Sequence, residues 1–241
     1  MDLSASHMSM TLVKQLTILT ALMSSQVYAS ECVVLLHGLA RTDRSMGKLA
    51  DTLDNSGYLT VNVSYPSTKY RIATLAGDAI SGALDKCPKN VKVNFVTHSM
   101  GGILIRQYLN GNTIKNLGRV VMLGPPNKGS QVVDNLYRMP GFKLINGPAG
   151  MQLGTNKLSV PNSLGPVDFE LGIIAGTRSF NPILSLMLPN PDDGKVSVEN
   201  TKLKGMTDHI KLPVTHPFMM INKTVIDQVI YFLKNGVFRK A

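Results

Sequence analysis

The sequence predicts an α/β fold, a mostly parallel sheet of about six strands with helices on both faces. Three observations carry this expectation. From Glu31 onward, short β-branched runs alternate with helical stretches, the order expected when parallel strands are joined by helical crossovers. An apolar fraction of 44% over 241 residues is enough for a real core and excludes disorder. With two Cys, the chain is neither a disulfide-stapled miniprotein nor the carrier of a C-x-x-C zinc site.

Taken in order, residues 1–29 read as a signal peptide. Lys14 precedes the apolar stretch Leu16–Met23, and Val27 with Ala29 supplies the small-residue spacing of a cleavage site after Ala29. The apolar run is too short to cross a bilayer. The expected destination is therefore periplasmic or secreted. The strand candidates are Cys32–Leu36, Leu59–Val63, Val91–Thr97, Arg119–Leu123, Leu171–Ala175 and His209–Val214, each a short run rich in Val, Ile and Leu. Helices are expected near Met46–Asn55, Ile72–Lys86, Gly101–Asn110 and Ser130–Leu136. A last helix over Lys223–Lys234 sets Val225, Ile226, Val229, Ile230 and Leu233 on one face, with Gly236 just beyond its end. Met139–Pro166 breaks the alternation with Gly141, Gly147, Pro148, Gly150, Gly154, Pro161 and Gly165. Such a long loop is expected to serve function, so it reads as a cap or substrate-facing insertion in a single domain of residues 30–241. Export makes a Cys32–Cys87 disulfide possible, because Cys32 opens one strand and Cys87 closes a helix just before another. If those strands are parallel neighbours, both sulfurs lie at the same end of the sheet; two free buried thiols are the alternative.

The chemistry concentrates at Val93-Asn-Phe-Val-Thr-His-Ser-Met-Gly-Gly102, followed by a helical stretch. A strand running into Ser99 and a helix leaving it is the context of a nucleophile elbow, whose tight turn demands small neighbours. Gly101 meets that demand, whereas Thr97 stands where Gly is usual; the alternative is an ordinary turn with Ser99 as a helix cap. The first N–H groups of the following helix, that of Met100 above all, point where an oxyanion would develop. A second donor is expected from the Leu39 N–H, since the strand Val33–Leu36 runs out into His37-Gly38.

The five His allow a base to be chosen by elimination. His7 lies in the signal segment, His37 in the oxyanion loop, and the side chain of His98 diverges from that of Ser99. His209 starts a strand. His216 follows the same strand on its carboxyl side, where ligands gather in open α/β sheets, and is the expected base. The orienting acid should fall between nucleophile and base. Asp193, in Pro191-Asp-Asp-Gly-Lys-Val196, is the first candidate and Asp192 its competitor by one slip of register. Asp208 would lie at the wrong end, and Glu199 reads as a solvated surface charge.

Together these segments resemble the α/β-hydrolase superfamily, in particular bacterial lipase-like and esterase-like serine hydrolases. His37-Gly38-Leu39 is similar to their oxyanion loop, and Thr97-His-Ser-Met-Gly-Gly102 to their elbow. Gly124-Pro-Pro-Asn-Lys-Gly-Ser130 and Asp193-Gly-Lys-Val196 with His216 are similar to two further segments, over residues 31–238 in all. The resemblance implies a carboxylic-ester hydrolase with a Ser99, Asp193, His216 triad, an acyl-enzyme and no cofactor. It also implies that the oxyanion-loop strand neighbours the nucleophile strand, which favours the Cys32–Cys87 bond. Pro217-Phe-Met-Met220 replaces the acidic residues that calcium-dependent members carry after the catalytic His, so no metal site is expected. The insertion is shorter than the cap of large lipases, so shorter or differently shaped esters rival long triglycerides. An acyltransferase or thioesterase is the alternative on this fold, and a non-catalytic binding protein a more distant one.

The formal charge of +10 comes from 25 Lys and Arg against 15 Asp and Glu. Loss of residues 1–29 removes one Lys (Lys14) and one Asp (Asp2), so the mature chain keeps +10. With 17% charged residues and no basic block, nucleic acid is not the expected partner; peripheral contact with an anionic membrane surface suits the charge better. The apolar segment Phe180–Leu188, just before Asp193, would line an acyl pocket, touch such a surface or pack in the core.

Overall fold

In the computed structural model the described residues are 31–240, so the expected signal peptide lies outside them. Their strands are β1 (Glu31–Leu36), β2 (Leu59–Val63), β3 (Lys92–His98), β4 (Leu117–Leu123), β5 (Leu171–Gly176) and β6 (Asp208–Leu212). They form one six-stranded sheet in the order β2-β1-β3-β4-β5-β6, and every pairing is parallel. The expectation of a mostly parallel sheet is thus met, with no antiparallel strand among the described residues. β6 stops two residues short of the expected Val214, because Pro213 has no N–H for the ladder, and the Val214 N–H turns back to the Leu212 carbonyl. β4 begins earlier than expected: Leu117 pairs with Val93, and the Arg119 N–H donates to Asn94 Oδ1 at a local shift of register.

The helices are α1 (Gly47–Asp54), α2 (Ile72–Leu84), α3 (Met100–Leu109), α4 (Gln131–Leu136), α5 (Phe142–Gly150), α6 (Val160–Ser163), α7 (Pro182–Ser185), α8 (Val198–Thr201) and α9 (Lys223–Asn235). The period-two alternation of β1 decides which face each side chain serves. Cys32, Val34 and Leu36 join Ile72, Leu75, Ile80, Ile103 and Leu104 of α2 and α3 in one core. Val33 and Leu35 join Leu49, Leu53, Val225, Val229 and Phe232 of α1 and α9 in the other. On α9 the expected stripe holds, except that Ile230 lies at its margin and Phe232 is fully buried. The helix starts at Asn222, whose Oδ1 accepts from the Val225 N–H at 3.2 Å, and ends at Gly236 with φ 74°.

Cys32 and Cys87 are disulfide-bonded, with Cα atoms 5.8 Å apart. Of the two alternatives read from the sequence, the bond is the one found. It ties the start of β1 to the end of the α2 crossover.

The expected insertion, residues 139–166, carries α5 and α6. Gly147 breaks α5 with φ 62°, and a Cβ there would fall 1.6 Å from the Thr68 carbonyl oxygen, so the segment lies backbone to backbone on the loop after β2. Its far end is held by Arg106 of α3, which is 3% exposed. The Arg106 guanidinium donates to the carbonyls of Asn127, Pro161 and Gly165 at 3.1, 3.0 and 2.9 Å, and to Asn127 Oδ1 at 3.2 Å. Among the described residues no carboxylate pairs with it, and burial pulls its pKa down to about 10. An uncompensated buried cation stays because the carbonyl dipoles of three loops converge on it.

Candidate active site

β1 and β3 are neighbours, so the loop leaving β1 and the turn leaving β3 meet at the carboxyl end of the sheet. Ser99 sits in that turn with φ 54° and ψ −120°, a conformation L-residues rarely adopt. The turn is held from both sides. The Ser99 N–H donates to the Leu123 carbonyl at 2.8 Å, and a Cβ on Gly101 would stand 2.5 Å from the Leu36 carbonyl oxygen. Glycine is therefore required two residues after Ser99. Thr97, two residues before it, is tolerated because it is still regular strand, paired in register with Leu36 and Met122 and fully buried.

His216 heads a 3-10 turn (His216–Ile221) after β6. Its Nε2 lies 3.0 Å from Ser99 Oγ, and its Nδ1 lies 2.7 Å from Asp193 Oδ2. Asp193 is 1% exposed and firmly seated: its Oδ1 accepts from the Lys195 and Val196 N–H groups at 2.9 and 2.8 Å. The His216 N–H also donates to the Asp193 carbonyl at 3.0 Å. Asp192 is turned the other way, accepting from Ser185 Oγ at 2.6 Å and the Gly194 N–H at 2.7 Å. It shapes the loop rather than reaching His216. The other rejected candidates are also away from the site. His209 Nε2 pairs with Thr201 Oγ1 at 2.9 Å, Asp208 accepts from the Phe238 N–H at 2.9 Å, and Glu199 is an exposed partner of Lys128 and Lys202.

Met100 opens α3, so its N–H has no acceptor within the helix. Leu39 lies on the loop after β1, and that loop is built by residues the sequence reading did not single out. The Tyr65 hydroxyl donates to the His37 carbonyl, the rings of His37 and Tyr65 stack with centroids 3.9 Å apart, and the Ala40 N–H donates to Ser67 Oγ at 3.1 Å. Gly38 makes the approach possible, since a Cβ there would meet His98 Nδ1 at 2.9 Å and Ser99 Cβ at 3.2 Å. Gly124, after β4, does the same for His216: its Cβ would fall 2.8 Å from Asp193 Oδ2 and 3.1 Å from His216 Nδ1. Its place at the head of Gly124–Ser130 was the available signal.

His98 is turned away from Ser99, as the strand alternation predicts, and lies behind His216. The two rings are 4.7 Å apart, and His98 Nε2 is 3.0 Å from the His216 carbonyl oxygen, to which it donates. Burial holds the His98 imidazole well below the usual histidine range, and the neighbouring His216 and Arg41 push it the same way. Burial also lowers His37. An unfolded chain takes up these protons near pH 6.5 while the folded one does not, so the unfolded state binds more protons as the pH falls. Stability should therefore be full above about pH 6.5 and fall below it, by up to about 1.4 kcal/mol per pH unit for each histidine. In urea melts from pH 8 to pH 5, His98→Gln, which keeps a donor toward the His216 carbonyl, should flatten this acid limb. An unchanged slope in that variant would contradict the burial argument.

Ser99 opens into a cleft of about 510 Å³. Val132, Val133, Phe142, Ile145 and Leu153 form apolar wall on the insertion side, and Phe180 and Leu184 line it from the segment before Asp193. That segment does not pack in the core as a whole: Ile183 and Leu186 are 67% and 88% exposed, and Leu188 is buried. Among the described residues no cluster of His, Cys, Asp or Glu is arranged to hold a metal, and no helix is long and apolar enough to cross a membrane.

No protein-family model matches the chain, and no curated protein matches it in sequence. Solved structures do. The mature form of the Bacillus licheniformis lipase BlEst2 superposes with a TM-score of 0.65 at 20% identity, over 85% of this chain and 92% of that one. A metagenomic carboxyl esterase, MGS0156, gives 0.61 at 19% identity, over 78% of this chain and 65% of its own. A monoacylglycerol lipase of Paleococcus ferrophilus gives 0.56 at 17% identity, over 85% and 94%. The chain has the α/β-hydrolase fold that these lipases and esterases share.

Proposed function

We propose that the protein is an exported serine carboxylic-ester hydrolase, with Ser99 as nucleophile, His216 as base and Asp193 as its orienting acid. The observation that carries this reading is the unbroken chain from Asp193 Oδ2 to His216 Nδ1 at 2.7 Å and from His216 Nε2 to Ser99 Oγ at 3.0 Å. Asp193 holds the proton on Nδ1, leaving Nε2 free to take the Ser99 proton as Oγ attacks the ester carbonyl. The tetrahedral oxyanion is received by the Met100 and Leu39 N–H groups, each contributing on the order of 10²–10³-fold. His216 then gives its proton to the departing alcohol, and water, deprotonated by His216 in turn, releases the acid from the acyl-enzyme.

The apolar wall suits an acyl chain, and residues 139–166 act as a short cap that supplies part of it. Leu144, Ile145, Phe180 and Phe218 are 88%, 66%, 66% and 54% exposed, and with a net +10 they suit transient contact with an anionic lipid surface. Export is supported by the Cys32–Cys87 bond, which persists in oxidising compartments.

The test is covalent labelling. A fluorophosphonate should add once to the mature protein, and peptide mass mapping should find the adduct on Ser99. Ester hydrolysis should fall in proportion to labelling. An adduct elsewhere, or full labelling with activity retained, would sink the reading.

A further inference from the structure

We infer that Arg41 and Lys195 receive an anionic group on the alcohol part of the substrate, which is therefore an acyl ester of a phosphate- or carboxylate-bearing alcohol. This rests on the hydrolase reading above and names its substrate class.

Both side chains line the same cleft as Ser99 and His216. Neither takes part in an ion pair among the described residues. Asp43 lies two residues beyond Arg41 without pairing with it. Asp193 is already committed, with Oδ2 given to His216 and Oδ1 to two backbone N–H groups. Two like charges at a cleft whose lining carboxylate, Asp193, already has both oxygens hydrogen-bonded favour the arrival of an anion. Burial is the main cause that lowers the proton affinity of Lys195; Asp193 raises it and Arg41, close enough to be felt, lowers it.

The two cations rise from rigid backbone. Arg41 follows Ala40, which has φ 52° and donates its N–H to Ser67 Oγ at 3.1 Å. Lys195 donates its own N–H to Asp193 Oδ1 at 2.9 Å and accepts from Ser130 Oγ at 2.6 Å. Both residues stay partly exposed at the cleft, on backbone fixed by these bonds. The remaining walls decide which end of the ester is charged. Val132, Val133, Phe142, Leu153 and Leu184 give an acyl chain an apolar wall, and the polar lining residues Ser130, Asn146, Ser179 and Asn181 carry no charge to hold an anion. The charge then belongs on the alcohol.

The experiment compares kcat/KM for two octanoyl esters, one of p-nitrophenol and one of a nitrophenol carrying a ring carboxylate. The anionic-to-neutral ratio is measured in the unaltered protein, in Arg41→Gln with Lys195→Gln, and in Lys89→Gln. Lys89 is exposed and precedes β3, at the opposite end of the sheet, so it controls for loss of a charge remote from the cleft. The double variant should lower the ratio about tenfold, the sum of two exposed charge contacts, and Lys89→Gln should leave it within twofold. Raising ionic strength should erode the preference in the unaltered protein. An acylglycerol phosphate against the matching acylglycerol then separates phosphate from carboxylate, with the larger ratio identifying the group. Neutral-ester hydrolysis with a ratio unmoved by the double variant overturns this inference alone, as does an equal loss on both esters. No hydrolysis of either ester by the unaltered protein overturns the hydrolase reading and this one with it.

Discussion

Replacing Ser99 with alanine should lower kcat for ester hydrolysis by about 10⁴–10⁶-fold while leaving the fold intact. The size follows from what is lost. In the proposed mechanism Oγ is the atom that bonds to the carbonyl carbon, and with it gone His216 has no proton to take and the remaining donors only hold the ester. Stability should change little, because alanine meets the same steric objection to φ 54° that serine does, and the bond from the residue 99 N–H to the Leu123 carbonyl is untouched. Turnover of p-nitrophenyl butyrate beside a thermal melt checks both halves. Residual activity above a tenth of the unaltered rate would mean that another group attacks.

The second large effect separates two adjacent carboxylates. Asp193→Asn should reduce kcat by about 10³–10⁴-fold, whereas Asp192→Asn should cost less than about tenfold. The asymmetry is geometric. An asparagine at 193 keeps its carbonyl oxygen toward the Lys195 and Val196 N–H groups, which need an acceptor, and so turns its NH₂ toward His216 Nδ1. Nδ1 must then accept, the ring proton moves to Nε2, and Nε2 can no longer take the Ser99 proton. At 192 the oxygen facing Ser185 can be replaced by an NH₂ that donates to the hydroxyl instead, so the loop survives. Steady-state kinetics on purified variants suffice. A greater loss at 192 than at 193 would reassign the acid.

Much of this site was legible in the sequence because its parts lie in short runs with strong local rules. The β-branched run ending at Thr97, the glycine at 101 and the helical stretch after it leave little freedom for Ser99, and five histidines left one at the carboxyl end of a strand. What stayed hidden depends on contacts between distant segments. Whether Asp193 or Asp192 faces His216 is decided by a turn in which the Lys195 and Val196 N–H groups capture one oxygen, and no spacing rule reports that. Tyr65, just after β2, supports the loop that leaves β1, and Gly124 is required because the side chains of Asp193 and His216 close over it. Arg106 looks in sequence like any helical surface arginine; only the return of residues 161 and 165 across α3 makes it interior. Strand ends shifted for local reasons, Pro213 in β6 and the register change opposite Val93 in β4.

The Cys32–Cys87 bond bears on the order in which the molecule comes into being. It encloses β1, α1, β2 and α2 within its 55-residue span, and Ser99, Asp193 and His216 all lie after Cys87. A chain emerging amino end first can be cross-linked before any of the three is outside the machinery that delivers it. Oxidation would then act on two of the six strands, before Ser99, Asp193 and His216 are added to a scaffold already sewn.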